Sequence, residues 1–153
     1  MKRRLLKSLG IALMTAGWIL PIDVVAVTAD PPAEGPLRPE ILHLAEIKDF
    51  PVSIPGARAR SLFRTESADM FLTRREPGTK LHRHLKSDHF VYILKGKGEV
   101  RIGARREAVA SGDLVLIPKG EEHSILKDGP GDFLFLAFST PPMDSKDFAW
   151  LEE

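Results

Sequence analysis

The sequence predicts an all-β domain, either an antiparallel sandwich or a small barrel. From Ile41 onward, short runs rich in β-branched and aromatic residues alternate with turn residues, the spacing expected of short antiparallel strands. Twelve glycines and 12 prolines among 153 residues leave little room for long helices. Helix-like character is confined to two short stretches, Glu40–Ala45 and the segment after Met143.

Taken in order, the candidate strands are Arg60–Thr65, Met70–Arg75, His89–Leu94, Glu99–Ile102, Asp113–Ile117, Ser124–Leu126 and Phe133–Ser139. Gly96-Lys97-Gly98 falls between two of them and reads as a hairpin loop. Gly112-Asp113 and Asp128-Gly129-Pro130-Gly131 mark further turns. No internal repeat is visible, and residues 41–153 read as one domain.

Composition narrows the function. With 43% hydrophobic and 28% charged residues the chain is that of a folded globular protein. A net charge of +1 excludes the basic excess of a nucleic-acid binder. The absence of cysteine removes disulfides, thiolate metal sites, cysteine nucleophiles and a lipid-modified cysteine.

The N-terminus reads as an address. Met1–Ser8 carries Lys2, Arg3, Arg4 and Lys7 and no acid, and Leu9–Leu20 is 12 residues without a charge. Val27-Thr28-Ala29 then places small residues before Asp30. This is the layout of a secretory signal peptide over residues 1–29, cleaved after Ala29, and it implies a periplasmic or secreted protein. An uncleaved anchor extended through Val27 is the alternative; Asp23 opposes it, and 12 apolar residues fall short of the ~20 a spanning helix needs. After cleavage the expected protein has no stable membrane insertion, and its net charge moves from +1 to −2 with the loss of four basic and one acidic side chain. Residues 30–40 hold four prolines and a glycine and read as a linker.

The chemistry lies in the histidines. Of His43, His82, His84, His89 and His123, three fall within residues 82–89. His82 and His84 are two apart, so an extended chain places both rings on one face. His89 begins the next strand and His123 stands at the start of a later one; a sheet that closes on itself can bring all four together. Singly, each has a plain structural reading, and His43 is isolated in a surface segment. Together they point to a metal, because imidazole is a common ligand for Fe, Mn, Ni, Cu and Zn.

The spacing also resembles the two motifs of the cupin superfamily. The first runs His-x-His, three or four residues, usually Glu, six residues and Gly; here it is His82-Arg83-His84, four residues, His89, six residues and Gly96. The second runs Gly, five residues, Pro-x-Gly, two residues, His, three residues and Asn; here it is Gly112, Pro118-Lys119-Gly120, His123 and Lys127. The resemblance implies a double-sheet jelly roll, a homodimer paired through sheet edges, and a site of His82, His84, His89 and His123. His89 stands where glutamate is usual. Asp88 becomes the ligand if the chain shifts by one residue, although the six-residue count to Gly96 favours His89. Lys127 replaces a turn asparagine.

Four neutral imidazoles leave a divalent transition ion close to its full charge. Such a centre can polarise a carbonyl, activate water, or chelate an enolate and pass electrons to dioxygen. The expected function is therefore metal-dependent chemistry on a small organic molecule: oxygenase, isomerase, cyclase or decarboxylase. Non-catalytic binding of a small ligand or metal is the alternative. Met70, Leu72, Phe90, Tyr92, Val115, Phe133, Phe135 and Phe138 are the candidate apolar lining, with Tyr92 as a candidate proton donor. Glu99, Glu107 and Glu121 have no assigned role, and no catalytic residue is singled out. With up to four protons competing for the ligands, metal retention is expected to weaken from pH ~7 toward ~5.

Overall fold

The computed structural model of the chain describes residues 38–151, apart from residue 77. The expected signal peptide and most of the proline-rich linker lie outside the described residues. Within them the strands are β1 (Val52–Ile54), β2 (Ala57–Arg64), β3 (Asp69–Arg75), β4 (His82–His84), β5 (Asp88–Lys95), β6 (Lys97–Ile102), β7 (Arg105–Ala110), β8 (Leu114–Ile117), β9 (His123–Lys127), β10 (Leu134–Thr140) and β11 (Phe148–Trp150). They form two antiparallel sheets, one in the order β1-β2-β3-β10-β5-β8 and the other β11-β4-β9-β6-β7. No helix among the described residues is long and apolar enough to cross a membrane.

The core fills the space between the sheets, and period-two alternation puts it there. In β10, Phe135, Ala137 and Ser139 are buried while their neighbours are only partly so. In β5, His89, Val91 and Ile93 point inward. Val100 of β6 and Ile125 of β9 meet them from the opposite sheet.

All seven expected strands form, with ends shifted by a few residues. Four more were not anticipated. β1, β4 and β11 have only three residues each, too few to show a period. β7 begins with three exposed charged residues, Arg105-Arg106-Glu107, and its signal is weak. The helix-like reading of the two flanking stretches does not hold. Near the first there is only a 3₁₀ turn, Leu44–Glu46, with no side-chain cap. The second contains β11, whose backbone pairs with β4.

The hairpin expected at Gly96 is also corrected. β5 and β6 lie in different sheets, so Gly96, at φ 92°, is a corner between layers. The turns at 112–113 and 128–131 are corners of the same kind, carrying β7 into β8 and β9 into β10. A genuine hairpin is β6–β7, closed at Gly103-Ala104 with Ile102 opposite Arg105. Passing the chain from sheet to sheet brings strands remote in sequence into register. β4 meets β9 through one pair, His82 opposite His123, supplemented by a bridge between Gly78 and Leu126.

Gly98 shows how tightly the layers close. A Cβ there would stand 2.5 Å from the Leu126 carbonyl oxygen and 2.6 Å from the Phe133 ring. Phe133 is fully buried and cannot give way without disturbing the core. Gly98→Ala is therefore expected to cost about 1–3 kcal/mol by overpacking, measured as a lower denaturant midpoint. An unchanged midpoint would show that the sheets relax more freely than this packing implies.

Candidate metal centre

β4 supplies His82 and His84, and β9 supplies His123. Because His82 and His123 are cross-strand partners, their ring centroids lie 4.3 Å apart. His84, one pleat further on the same face, is 5.3 Å from His82 and 5.2 Å from His123. The ligand nitrogens these three residues offer all lie within 4.8 Å of one another, and all three are buried. Bonds of about 2.1 Å to a common ion allow separations up to about 4.2 Å, so a small inward adjustment is enough. His89 comes from β5 in the opposite sheet, its ring 4.7 Å from that of His84 and 6.0 Å from that of His123.

The outward nitrogens define the site. His82 Nδ1 lies 2.9 Å from the Lys80 carbonyl oxygen and His123 Nδ1 3.0 Å from that of Glu121. A carbonyl only accepts, so each Nδ1 carries the proton and donates it, leaving a lone pair on Nε2. His84 Nδ1 donates to Asp147 Oδ2 at 3.2 Å, and the other Asp147 oxygen accepts from the Lys86 amide. His89 Nδ1 lies 2.9 Å from the Ser139 hydroxyl, which can accept in the same way. Each ring is tied from outside, the arrangement that orients imidazoles toward a metal. The donor set fits a borderline transition ion and disfavours Mg and Ca.

Several readings are corrected here. Asp88 stands outside the site, where its carboxylate accepts from the Lys119 amide. The expected lining is mostly displaced. Of the eight apolar candidates only Phe135 borders the cavity, which has a volume of about 250 Å³. Phe133 and Val115 are packed core. Met70, Leu72, Phe90, Tyr92 and Phe138 occupy alternate positions that face away from the cavity, and Tyr92 is 42% exposed. Tyr92 is therefore not a proton donor in this cavity. Glu99 and Glu107 form surface ion pairs with Arg106 and Arg105. Exposed His43 takes no part.

The actual walls include Val52, Ala59, Phe71, Thr73, Ile125 and Ala137, with Phe148 near the histidines. Phe148 approaches His84 at 4.8 Å, and Trp150 approaches His82 at 5.1 Å. Asp147, Ser139, Arg75 and Phe148 were missed from the sequence because nothing in their local spacing marks them.

Burial also corrects the expected pH window. Desolvation dominates at every ring, holding His82 down at about 2 and His123 at about 4. It lowers His84 too, opposed by Asp147, and takes His89 well below the usual range. Folded His82 and His123 thus stay neutral well below pH 6, His84 and His89 are shifted in the same direction, and proton competition for a metal moves to more acid conditions. The unfolded chain, with ordinary imidazoles near 6.5, binds more protons than the folded chain between about pH 6.5 and 4. Stability is full above that window and falls as pH drops through it, by about 3 kcal/mol from His123 alone. Metal-free protein is expected to show a steep fall in Tm from pH 7 to 4.5, measured by calorimetry. A flat profile would contradict neutral buried rings.

Comparison with known proteins agrees with this fold. Residues 71–139 match the family model described as a cupin domain. An uncharacterised protein of Methanocaldococcus jannaschii is 34% identical over 74 residues, covering 48% of this chain and 59% of that protein. The match thus spans less than two thirds of that relative's length. A Klebsiella pneumoniae protein described as having a double-stranded beta-helix domain superposes with a TM-score of 0.61 at 19% identity, over 76% of this chain and all of that one. Streptomyces Pac13, determined with uridine, gives 0.59 at 14% identity, over 65% and 82% of the two chains. At these identities the solved structures establish the fold alone. The two histidine motifs and the match over residues 71–139, carried on the two-sheet topology, show that this chain contains a cupin domain.

Proposed function

We propose that this is an exported, metal-dependent cupin enzyme acting on a small organic molecule, with His82, His84, His89 and His123 holding one divalent transition ion. The observation that carries this reading is the occupied outward nitrogen of each ring, beside a cavity large enough for a small molecule. Pac13, described as a nucleoside dehydratase, shows the same fold serving small-molecule chemistry, which supports the enzyme reading.

The ion would supply Lewis acidity and, if redox-active, electrons for dioxygen. The chain's part is to hold four neutral imidazoles from two sheets and keep bulk water from the centre. Beyond the histidines, the titratable side chains on the described lining are Arg64, Arg75 and Asp144. Asp144 is 51% exposed and paired with Lys86. Among the described residues no buried carboxylate lines the cavity as a general base, which favours dioxygenase-like chemistry centred on the metal over isomerase or cyclase chemistry needing protein acids and bases. The same feature favours, as a second reading, a non-catalytic binding module. Dioxygen consumption by iron-loaded protein with a turned-over substrate separates the two.

Protein purified without added metal or a histidine tag should carry about one transition ion per chain by elemental analysis. His89→Ala should sharply lower that content while leaving the folded circular dichroism spectrum intact. Asp147→Asn should weaken metal affinity roughly 10–100-fold, because asparagine is uncharged and offers one acceptor oxygen to two donors, His84 Nδ1–H and the Lys86 amide. Full metal content in His89→Ala would leave a three-histidine centre. For export, the mature chain should begin near Asp30 when sequenced from its native host; a chain beginning at Met1 would overturn that part of the proposal.

A further inference from the structure

Two arginines line the cavity, and their situations differ. Arg64 is engaged: its guanidinium meets the Asp69 carboxylate at 3.0 Å and also donates to the Met143 carbonyl. Arg75, at the end of β3, is only 5% exposed, and its Nε and Nη1 have no hydrogen-bond partner among the described residues. Its guanidinium carbon lies over the Phe135 ring, 5.3 Å from the centroid, a cation–π contact that offsets part of the burial cost but gives its N–H donors no acceptor oxygen. No ion pair among the described residues includes it.

A buried charge without a partner is costly, and natural structures rarely keep one idle. Burial lowers the Arg75 pKa to about 9, which leaves it charged at neutral pH. Among the described residues no buried carboxylate lines the cavity, and four neutral imidazoles would hold a cation without cancelling its charge. Arg75 therefore stands on the cavity wall as an orphaned set of donors with no counter-charge paired to it, among apolar walls.

We propose that Arg75 anchors the anionic end of the ligand, so that this site takes a small molecule with a carboxylate held by the guanidinium and an apolar body along Phe71, Phe135 and Ile125. This deepens the metal-dependent reading above and rests on it for the ligand's other end. A carboxylate suits the position because it is planar and singly charged, matching one guanidinium through two parallel hydrogen bonds. A phosphate dianion would need further cationic donors, and the only other arginine on the described lining is already paired. The cavity, about 250 Å³, equals roughly eight waters' share of liquid volume, which limits the ligand to a small molecule.

The test uses benzoate and isobutyrate as probes, with benzamide and isobutyramide as uncharged counterparts. Binding is measured by calorimetry to metal-loaded and metal-free protein, with metal content determined in parallel. At least one acid should bind ten times or more tightly than its amide. Arg75→Gln should abolish that preference without changing metal content, and Arg75→Lys should restore part of it. In ligand-free protein, Arg75→Met should leave Tm unchanged or raised, since it removes an unsatisfied charge. Acids that bind no better than amides, a preference that survives Arg75→Gln, or a Tm lowered by Arg75→Met would overturn the proposal. A preference that persists in metal-free protein and disappears only with Arg75 would uphold it even if the metal reading failed.

Discussion

The structure turns on where four imidazole protons point. A carbonyl two residues upstream takes the Nδ1 proton of His82, and another does the same for His123. A buried carboxylate takes that of His84, and a buried hydroxyl lies within reach of His89 Nδ1. Each contact is modest alone, about 1 kcal/mol for a neutral pair. Together they fix tautomer and ring plane and leave the facing nitrogens as acceptors. Buried imidazoles left to rotate would point lone pairs into hydrocarbon. The local strand geometry and the packing of β11 against β4 can both be understood as ways of keeping those contacts in place.

The alternation of the chain between sheets gives the site its depth. Three of the histidines sit in one sheet and His89 in the other. The centre therefore lies between layers, close to the hydrocarbon that closes the core. The rim is built differently. Asp69, fully buried, binds both Arg64 and the Met143 amide. Desolvation raises its pKa against the lowering pull of Arg64. That ionic tie holds the start of the segment running from β10 to Asp147 and Phe148. The Met143 end of the cavity wall and the carboxylate that accepts from His84 thus lie on one short segment.

How much of this was legible follows from distance along the chain. His82, His84 and His89 stand within eight positions and His123 follows a recognisable Pro-x-Gly turn, so local spacing was enough to single them out. Asp147 reaches His84 across 63 positions and Ser139 reaches His89 across 50. No periodicity connects such pairs; the fold does. The lining was misread for another reason. Met70-Phe71-Leu72 and Leu134–Phe138 are apolar on both faces, Leu72 is fully buried although it faces away from the cavity, and Phe50 stacks on Arg74 of the same strand as Leu72 at 4.4 Å. A strand covered on both sides gives no sign of which parity points inward. Arg75 was hidden in the same way, as one arginine in a strand ending in two.

The sparse pairing of β4 has a mechanical consequence. Most neighbouring strands here share long ladders, six register pairs between β6 and β7, for example. Within its named span β4 meets β9 at a single register position, and the residues at that position are His82 and His123. The seam with the fewest stitches is the one where two of the histidines positioned for a metal stand. Peeling β4 from β9 and dismantling the centre are consequently one event, and whatever bridges those two rings acts as a rivet in the sheet.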